Sequence, residues 1–295
     1  MTFFAVIKKN AKIALKGRWG AAAGIYAIVI GALLFLSYLE QAALGMFAPV
    51  HIPWDSGAAI DYAQFLRMLL SMGRAEWLIT GVSSLMALLL LAPLALGITR
   101  WFYVLIQEER PAVSEIFYFF EGLRRFGRAV GYTIQLGLRG FGWGMVFLSA
   151  PAGLMSICVR FLRIETLARQ SRAAASVGIV LAFGLLLLTT LLYVIYMNKY
   201  ALAAYLLCES DEISAREAFR ASIRYTKGYR GIIFLFTLSF AGWYLLSPFT
   251  FLLLLLFVVP YHNAGKTVLA RYLVEKNRCQ EPQITREFGG ASLRQ

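Results

Sequence analysis

The chain has 295 residues, 59% of them hydrophobic and only 15% charged, with a formal net charge of +13. Soluble domains carry about a quarter charged residues, whereas here the charges gather in clusters between long stretches free of Asp, Glu, Lys and Arg, which excludes an ordinary water-soluble globule. Cys158, Cys208 and Cys279 are scattered without CxxC spacing, and His51 and His262 lie in different segments. That pattern predicts neither a disulfide framework nor a metal site.

Lys8, Lys9, Lys12 and Lys16 open the chain, and an apolar run over 19–39 follows. The apolar core of a cleaved signal peptide spans about 7–15 residues, so this longer run predicts a retained first membrane span. The outer loop, 40–76, is acidic on balance, holds Pro49, Pro53 and Trp54, and has room for a short surface helix over 61–72. Further spans are predicted near 77–99, 129–157 and 174–208, with Arg139 inside the third. Each is long enough for the roughly 20 residues that cross a hydrocarbon core. The last uncharged stretch, 231–265, would reach about 52 Å as one helix. Ser247-Pro248 falls near its middle, and an internal proline ends or kinks a helix. Two spans, 230–247 and 250–275, joined by a tight turn around Ser247–Thr250, are therefore predicted, with a tail at 276–295.

Cytoplasmic segments carry an excess of Lys and Arg. With six spans and the N-terminus inside, 22 basic residues fall on the cytoplasmic side and 6 outside; with the last stretch read as one span the split becomes 16 to 12. The asymmetry favours six spans in a bacterial inner membrane, with both termini cytoplasmic. It also accounts for the net charge without nucleic acid, because no basic run is long. The basic stretch 160–172 runs against the rule under either count.

A basic stretch leads through a glycine into each odd-numbered span: Leu15-Lys16-Gly17-Arg18-Trp19-Gly20, then Arg125-Phe126-Gly127-Arg128, then Thr226-Lys227-Gly228-Tyr229-Arg230-Gly231. Before the fifth span, Ser214-Ala215-Arg216-Glu217 has the form of a capping box. Ala215, Ala218, Phe219, Ser222 and Ile223 share one helical face there, with Arg216, Arg220 and Arg224 elsewhere. The predicted fold class is thus an all-α membrane protein of six transmembrane helices, with amphipathic surface helices before the odd-numbered spans.

Ser222 with Lys227-Gly228-Tyr229, then Leu238-Ser239-Phe240-Ala241-Gly242-Trp243 with Leu245-Leu246, then Pro260-Tyr261, form an ordered set. Together with Leu15-Lys16-Gly17-Arg18-Trp19-Gly20, they resemble a family of bacterial integral membrane proteins of unknown function (the DUF nine-seven-five group). The matching pieces cover about a third of the chain. The family's Pro-Gly turn after the third span is replaced here by Pro151-Ala152-Gly153 and a long basic loop, and residues 251–259, before the Pro-Tyr pair, hold no glycine. The resemblance implies a six-helix inner-membrane fold and no known activity.

No Asp or Glu lies in the apolar body of a predicted span, which argues against ion-coupled transport, where a carboxylate at membrane depth is usual. His51 and Asp55 in the outer loop are read as solvated surface, and no enzyme, cofactor or metal is predicted. Three cations are more suggestive. Arg139 lies about 15 Å into the third span, while Lys199 and Lys266 each lie nine residues above the lower end of theirs. With no intramembrane carboxylate to pair them, an anion is expected to join them, in a cytoplasm-facing pocket of Arg139, Lys199 and Lys266 with Tyr261, His262 and Asn263. The plainer alternative is that all three cations snorkel at helix ends. The expected function is non-enzymatic, either binding anionic lipid or assisting another membrane protein complex; the alternative is a permease for a small anionic solute. Trp19, Trp77, Trp101 and Tyr103 are expected to form an interfacial aromatic belt.

Overall fold

A backbone crossing hydrocarbon must satisfy its own polar groups, and a helix does this within one segment. A computed structural model describes residues 3–47, 73–107, 110–162, 169–250 and 253–289, and all regular structure among them is helical. In chain order the elements are α1 (Phe3–Ala14), α2 (Trp19–Phe47), α3 (Arg74–Ile106), a 3-10 segment (Val113–Phe120), α4 (Leu123–Leu162) and α5 (Arg169–Met197). There follow a 3-10 turn (Asn198–Tyr200), α6 (Ala203–Glu209), α7 (Ala215–Tyr225), α8 (Arg230–Leu238), α9 (Ala241–Leu246), a 3-10 turn (Ser247–Thr250) and α10 (Leu255–Gly289).

Five runs are long and apolar enough to cross a membrane: Trp19–Phe47, Arg74–Ile106, Leu123–Leu162, Ala173–Glu209 and Arg230–Thr250. They coincide with the first five predicted spans but extend beyond them. α4 has 40 residues, or about 60 Å, twice the thickness of a hydrocarbon core. The predicted sixth span corresponds to α10, which is not among the five; His262, Asn263 and Lys266 dilute its apolar run. His51, Asp55, the 61–72 segment, residues 163–168 of the basic stretch and the last residues of the tail lie outside the described residues.

Two compact units divide the chain. One comprises 29–91 and 141–192 and holds the C-terminal parts of α2 and α4 and the N-terminal parts of α3 and α5. Its large apolar side chains point outward, with Leu34 66%, Val180 71% and Leu181 67% exposed. In water that surface would be strongly unfavourable; against lipid it is the expected one. α2 continues eight residues past the predicted end at Leu39 and so carries Glu40, whose carboxylate accepts a hydrogen bond from Ser83 Oγ at 3.0 Å.

The other unit, 1–28, 92–140 and 193–295, holds the buried core. Trp101, Phe102, Phe119, Phe219, Phe236 and Phe240 are fully buried in it. Trp101, expected at the interface, packs instead edge-on against Phe102 at 5.1 Å. Gly97 lets the 3-10 segment press onto α3: a Cβ there would stand 1.8 Å from the Ile116 carbonyl oxygen.

Breaks within the predicted spans have local causes. The fourth, predicted continuous over 174–208, changes at Asn198–Tyr200. There Ser222 Oγ donates to the Lys199 carbonyl at 2.8 Å and accepts from the Leu202 amide at 3.2 Å, replacing ladder bonds. The fifth breaks between α8 and α9, where Ser239 Oγ bonds the Phe236 carbonyl at 2.6 Å, a local competitor for helical pairing.

Three glycines among the described residues have positive φ, Gly17 (77°), Gly122 (107°) and Gly228 (84°), and each immediately precedes the approach to a long helix or span. Glycine suits this left-handed turn because it has no Cβ to clash. The third-span copy therefore turns at Gly122, and Gly127, where the repeat was expected to turn, lies inside α4.

Candidate functional site

Consecutive residues on a helix point about 100° apart, so the predicted pocket residues of α10 divide among different neighbours. Tyr261 faces α1, donating to the Lys8 carbonyl at 3.3 Å. His262, 4% exposed, stacks on Phe240 at 4.6 Å and shares a hydrogen bond with Tyr244 at 2.7 Å through Nδ1, while its Nε2 is buried without a partner. Asn263 turns the other way and donates to the Tyr26 hydroxyl. Lys266 stands one turn further along the same side.

Lys266 and Asn263 line a groove of about 320 Å³ with Tyr26, Thr99, Tyr205 and Thr267. The residues come from α2, α3, α6 and α10, so four separate segments converge there. Lys266 forms no hydrogen bond or ion pair among the described residues. Thr99 and Thr267 spend their hydroxyl protons on the Ala95 and Asn263 carbonyls of their own helices.

Arg139 and Lys199 meet elsewhere, around aromatic rings. The Arg139 guanidinium lies over Phe219 at 4.2 Å and Tyr200 at 5.7 Å, and donates to Gln135. Lys199, 6% exposed, lies over Tyr196 at 3.6 Å and Tyr200 at 4.8 Å. The two cations thus share Tyr200, and ring quadrupoles supply part of the counter-field a carboxylate would otherwise give. The six expected residues form three sets: Arg139 with Lys199, Lys266 with Asn263, and Tyr261 with His262 toward α1 and Phe240.

A fourth cluster was not anticipated. Arg128, with its side chain only 10% exposed, donates to Asp211 at 3.1 Å and to the Leu207, Ser210 and Ile213 carbonyls at 3.3, 2.6 and 2.9 Å. It thereby neutralises the C-terminal end of α6, where a cation is favoured. Arg125 pairs with Asp211 at 3.0 Å, and the Tyr118 hydroxyl donates to the same carboxylate. The Tyr118 ring lies under two guanidiniums, Arg100 at 3.4 Å and Arg125 at 4.0 Å. Arg100 also pairs with Glu115 at 3.3 Å and donates to the Cys208 carbonyl at 3.0 Å. Burial works against the charge on Asp211, but the Tyr118 hydrogen bond and the Arg125 and Arg128 guanidiniums outweigh it and hold the carboxyl below its usual range. The signal in the sequence was a short acidic stretch, Glu209-Ser210-Asp211-Glu212, just past a span, with an Arg-rich helix start elsewhere in the chain.

A family model described as "Protein of unknown function (DUF975)" matches residues 1–277. The chain belongs to this family. The match takes in every described span and the whole of the groove and the Asp211 cluster, far more than the third of the chain that carries the resemblance by eye. No curated protein and no solved structure matches the chain.

Proposed function

We propose that this DUF975 protein is a six-span, non-enzymatic protein of the bacterial inner membrane, with both termini cytoplasmic, that binds anionic lipid. In this reading α10 supplies the sixth span, and α1 and α7 lie at the inner membrane surface. The observation that carries it is Lys266. A cation without a partner, in a groove where four apolar segments converge, is costly in a low-dielectric surrounding, and an anionic headgroup relieves that cost. Tyr26, Asn263 and Tyr205 along the same groove offer hydroxyl and amide groups to its polar atoms.

The test is native mass spectrometry of the protein released in mild detergent. Wild-type protein is expected to retain anionic lipid at fixed stoichiometry, and Lys266→Gln to retain one lipid fewer. Retention by the variant equal to wild type would remove the groove from the proposal. A bare chain, or one carrying only another protein, would point to an accessory role in a membrane complex. The groove's polar lining also supports a second reading, a permease for a small anionic solute. Proteoliposomes holding the purified protein would then take up such a solute, and Lys266→Gln would abolish uptake.

A further inference from the structure

The chain turns from α7 into α8 through Gly228 and leaves a cavity of about 860 Å³. Arg220, Arg224, Lys227 and Arg230 line it, with Gly228 and Gly231. Among the described residues that line it there is no carboxylate. The nearest acid on α7, Glu217, is committed to the helix start, accepting the Ser214 amide and hydroxyl at 2.8 Å each. Those bonds, the amide first, and then the charge of Arg220 keep its carboxyl below the usual range.

Several features leave this junction open to an anion. α8 begins at Arg230 without a side-chain cap, so its first amides have no intrahelical acceptor. The C-terminal end of α7 lies across the turn with the opposite dipole, so the four side chains set the sign of the field. A Cβ at Gly228 or Gly231 would meet nothing within 4 Å, and the space beside the backbone is free. Arg230, on the cavity wall, has a buried Nε without an acceptor. Beyond the cavity, the exposed Leu235 and Leu238 continue along α8 within the apolar run Arg230–Thr250. A free phosphate would use only the cations; a phospholipid would use both the cations and the apolar side of α8.

We propose that this cavity binds the phosphodiester of an anionic phospholipid, with Arg220, Arg224, Lys227 and Arg230 around the phosphate and the acyl chains along Leu235 and Leu238. This deepens the lipid-binding reading and rests on its membrane placement, but it concerns a site separate from the Lys266 groove. Each basic residue close to an anionic lipid surface contributes a factor of several in affinity.

Delipidated full-length protein would be titrated with phosphatidylglycerol and followed by native mass spectrometry in the Lys266→Gln background, where the groove no longer contributes. Adding Arg220→Gln and Lys227→Gln is expected to weaken phosphatidylglycerol retention by about thirtyfold. Both side chains are exposed, so folding is retained, and a matching Arg220→Lys and Lys227→Arg protein would keep the lipid. Undiminished retention after the two Gln changes would overturn the junction site whatever the groove does. Equal retention by wild type and by Lys266→Gln alone would instead count against the groove and leave the junction to be decided by the two Gln changes. Equal binding of phosphatidylcholine would overturn recognition of the anionic headgroup, and displacement by millimolar inorganic phosphate would reassign the cavity to soluble anions.

Discussion

The junctions at Gly122 and Gly228 are built alike and finished differently. Each brings a short helical segment through a left-handed glycine into an apolar helix with arginine in its first turn. At Gly122 the cations are consumed internally: Arg125 and Arg128 meet Asp211, and Arg128 also serves three carbonyls at the end of α6. At Gly228 the described residues that line the cavity are four cations, Ile223 and two glycines. The same local design therefore fastens one part of the fold and leaves another open to an anion. What separates them is whether a distant segment delivers acceptors, as 207–213 does for α4.

The largest expected effect tests the fastening. Arg128→Ala strands three carbonyls and one partner of Asp211, and should cost about 2–3 kcal/mol, read as a lowered thermal unfolding midpoint in detergent with phosphatidylglycerol retention unchanged. A variant as stable as wild type would mean that water replaces the guanidinium and that the two junctions differ less than their contacts suggest. Next comes the turn they share. Gly228→Ala forces an L side chain to φ 84° at a cost of about 1–2 kcal/mol, although a Cβ has room there. A smaller loss would show that the junction backbone relaxes easily and that the cavity is not rigidly shaped.

The smallest effect is the most diagnostic. Asp211 is held below its unfolded value, so its ion pairs stabilise the protein above the ordinary carboxylate pKa of about 3.9. That contribution fades as pH falls through the lower, folded value. The carboxylate is partly exposed, so Asp211→Asn should cost less than about 1 kcal/mol at neutral pH. The variant should also lose that component of the acid destabilisation seen in wild type between neutral pH and pH 3. An unchanged acid profile would show that Asp211 is not held by its arginines in solution.

Much of the architecture was legible because it follows from composition and local chemistry. The apolar runs located the five long apolar segments, with the third start missed by six residues. Pro248 located the turn at Ser247–Thr250, and Ser214 with Glu217 located the start of α7. The overruns also have local reasons: nothing between Leu39 and Phe47 stops a helix, so α2 continues through Glu40. The breaks at Asn198 and Ser239 were not legible, because the first depends on Ser222, twenty-odd residues away, and the second on a serine whose hydroxyl turns back to Phe236. The predicted pocket fared similarly. Depth along a helix can be counted from the sequence, and the three cations were placed by depth. Azimuth relative to neighbours was counted for none of them, so one set of six became three.

By itself, then, the sequence determined that the chain is helical and carries several runs apolar and long enough to cross a membrane. Hydropathy, proline, glycine and caps act within a few residues of where they stand. Only the tertiary structure decided which cations are satisfied. Arg139 and Lys199 found aromatic rings, Arg125 and Arg128 found Asp211, and Lys266 found no partner among the described residues. Pairing depends on what a separate segment brings within about 4 Å, and no local pattern encodes that encounter.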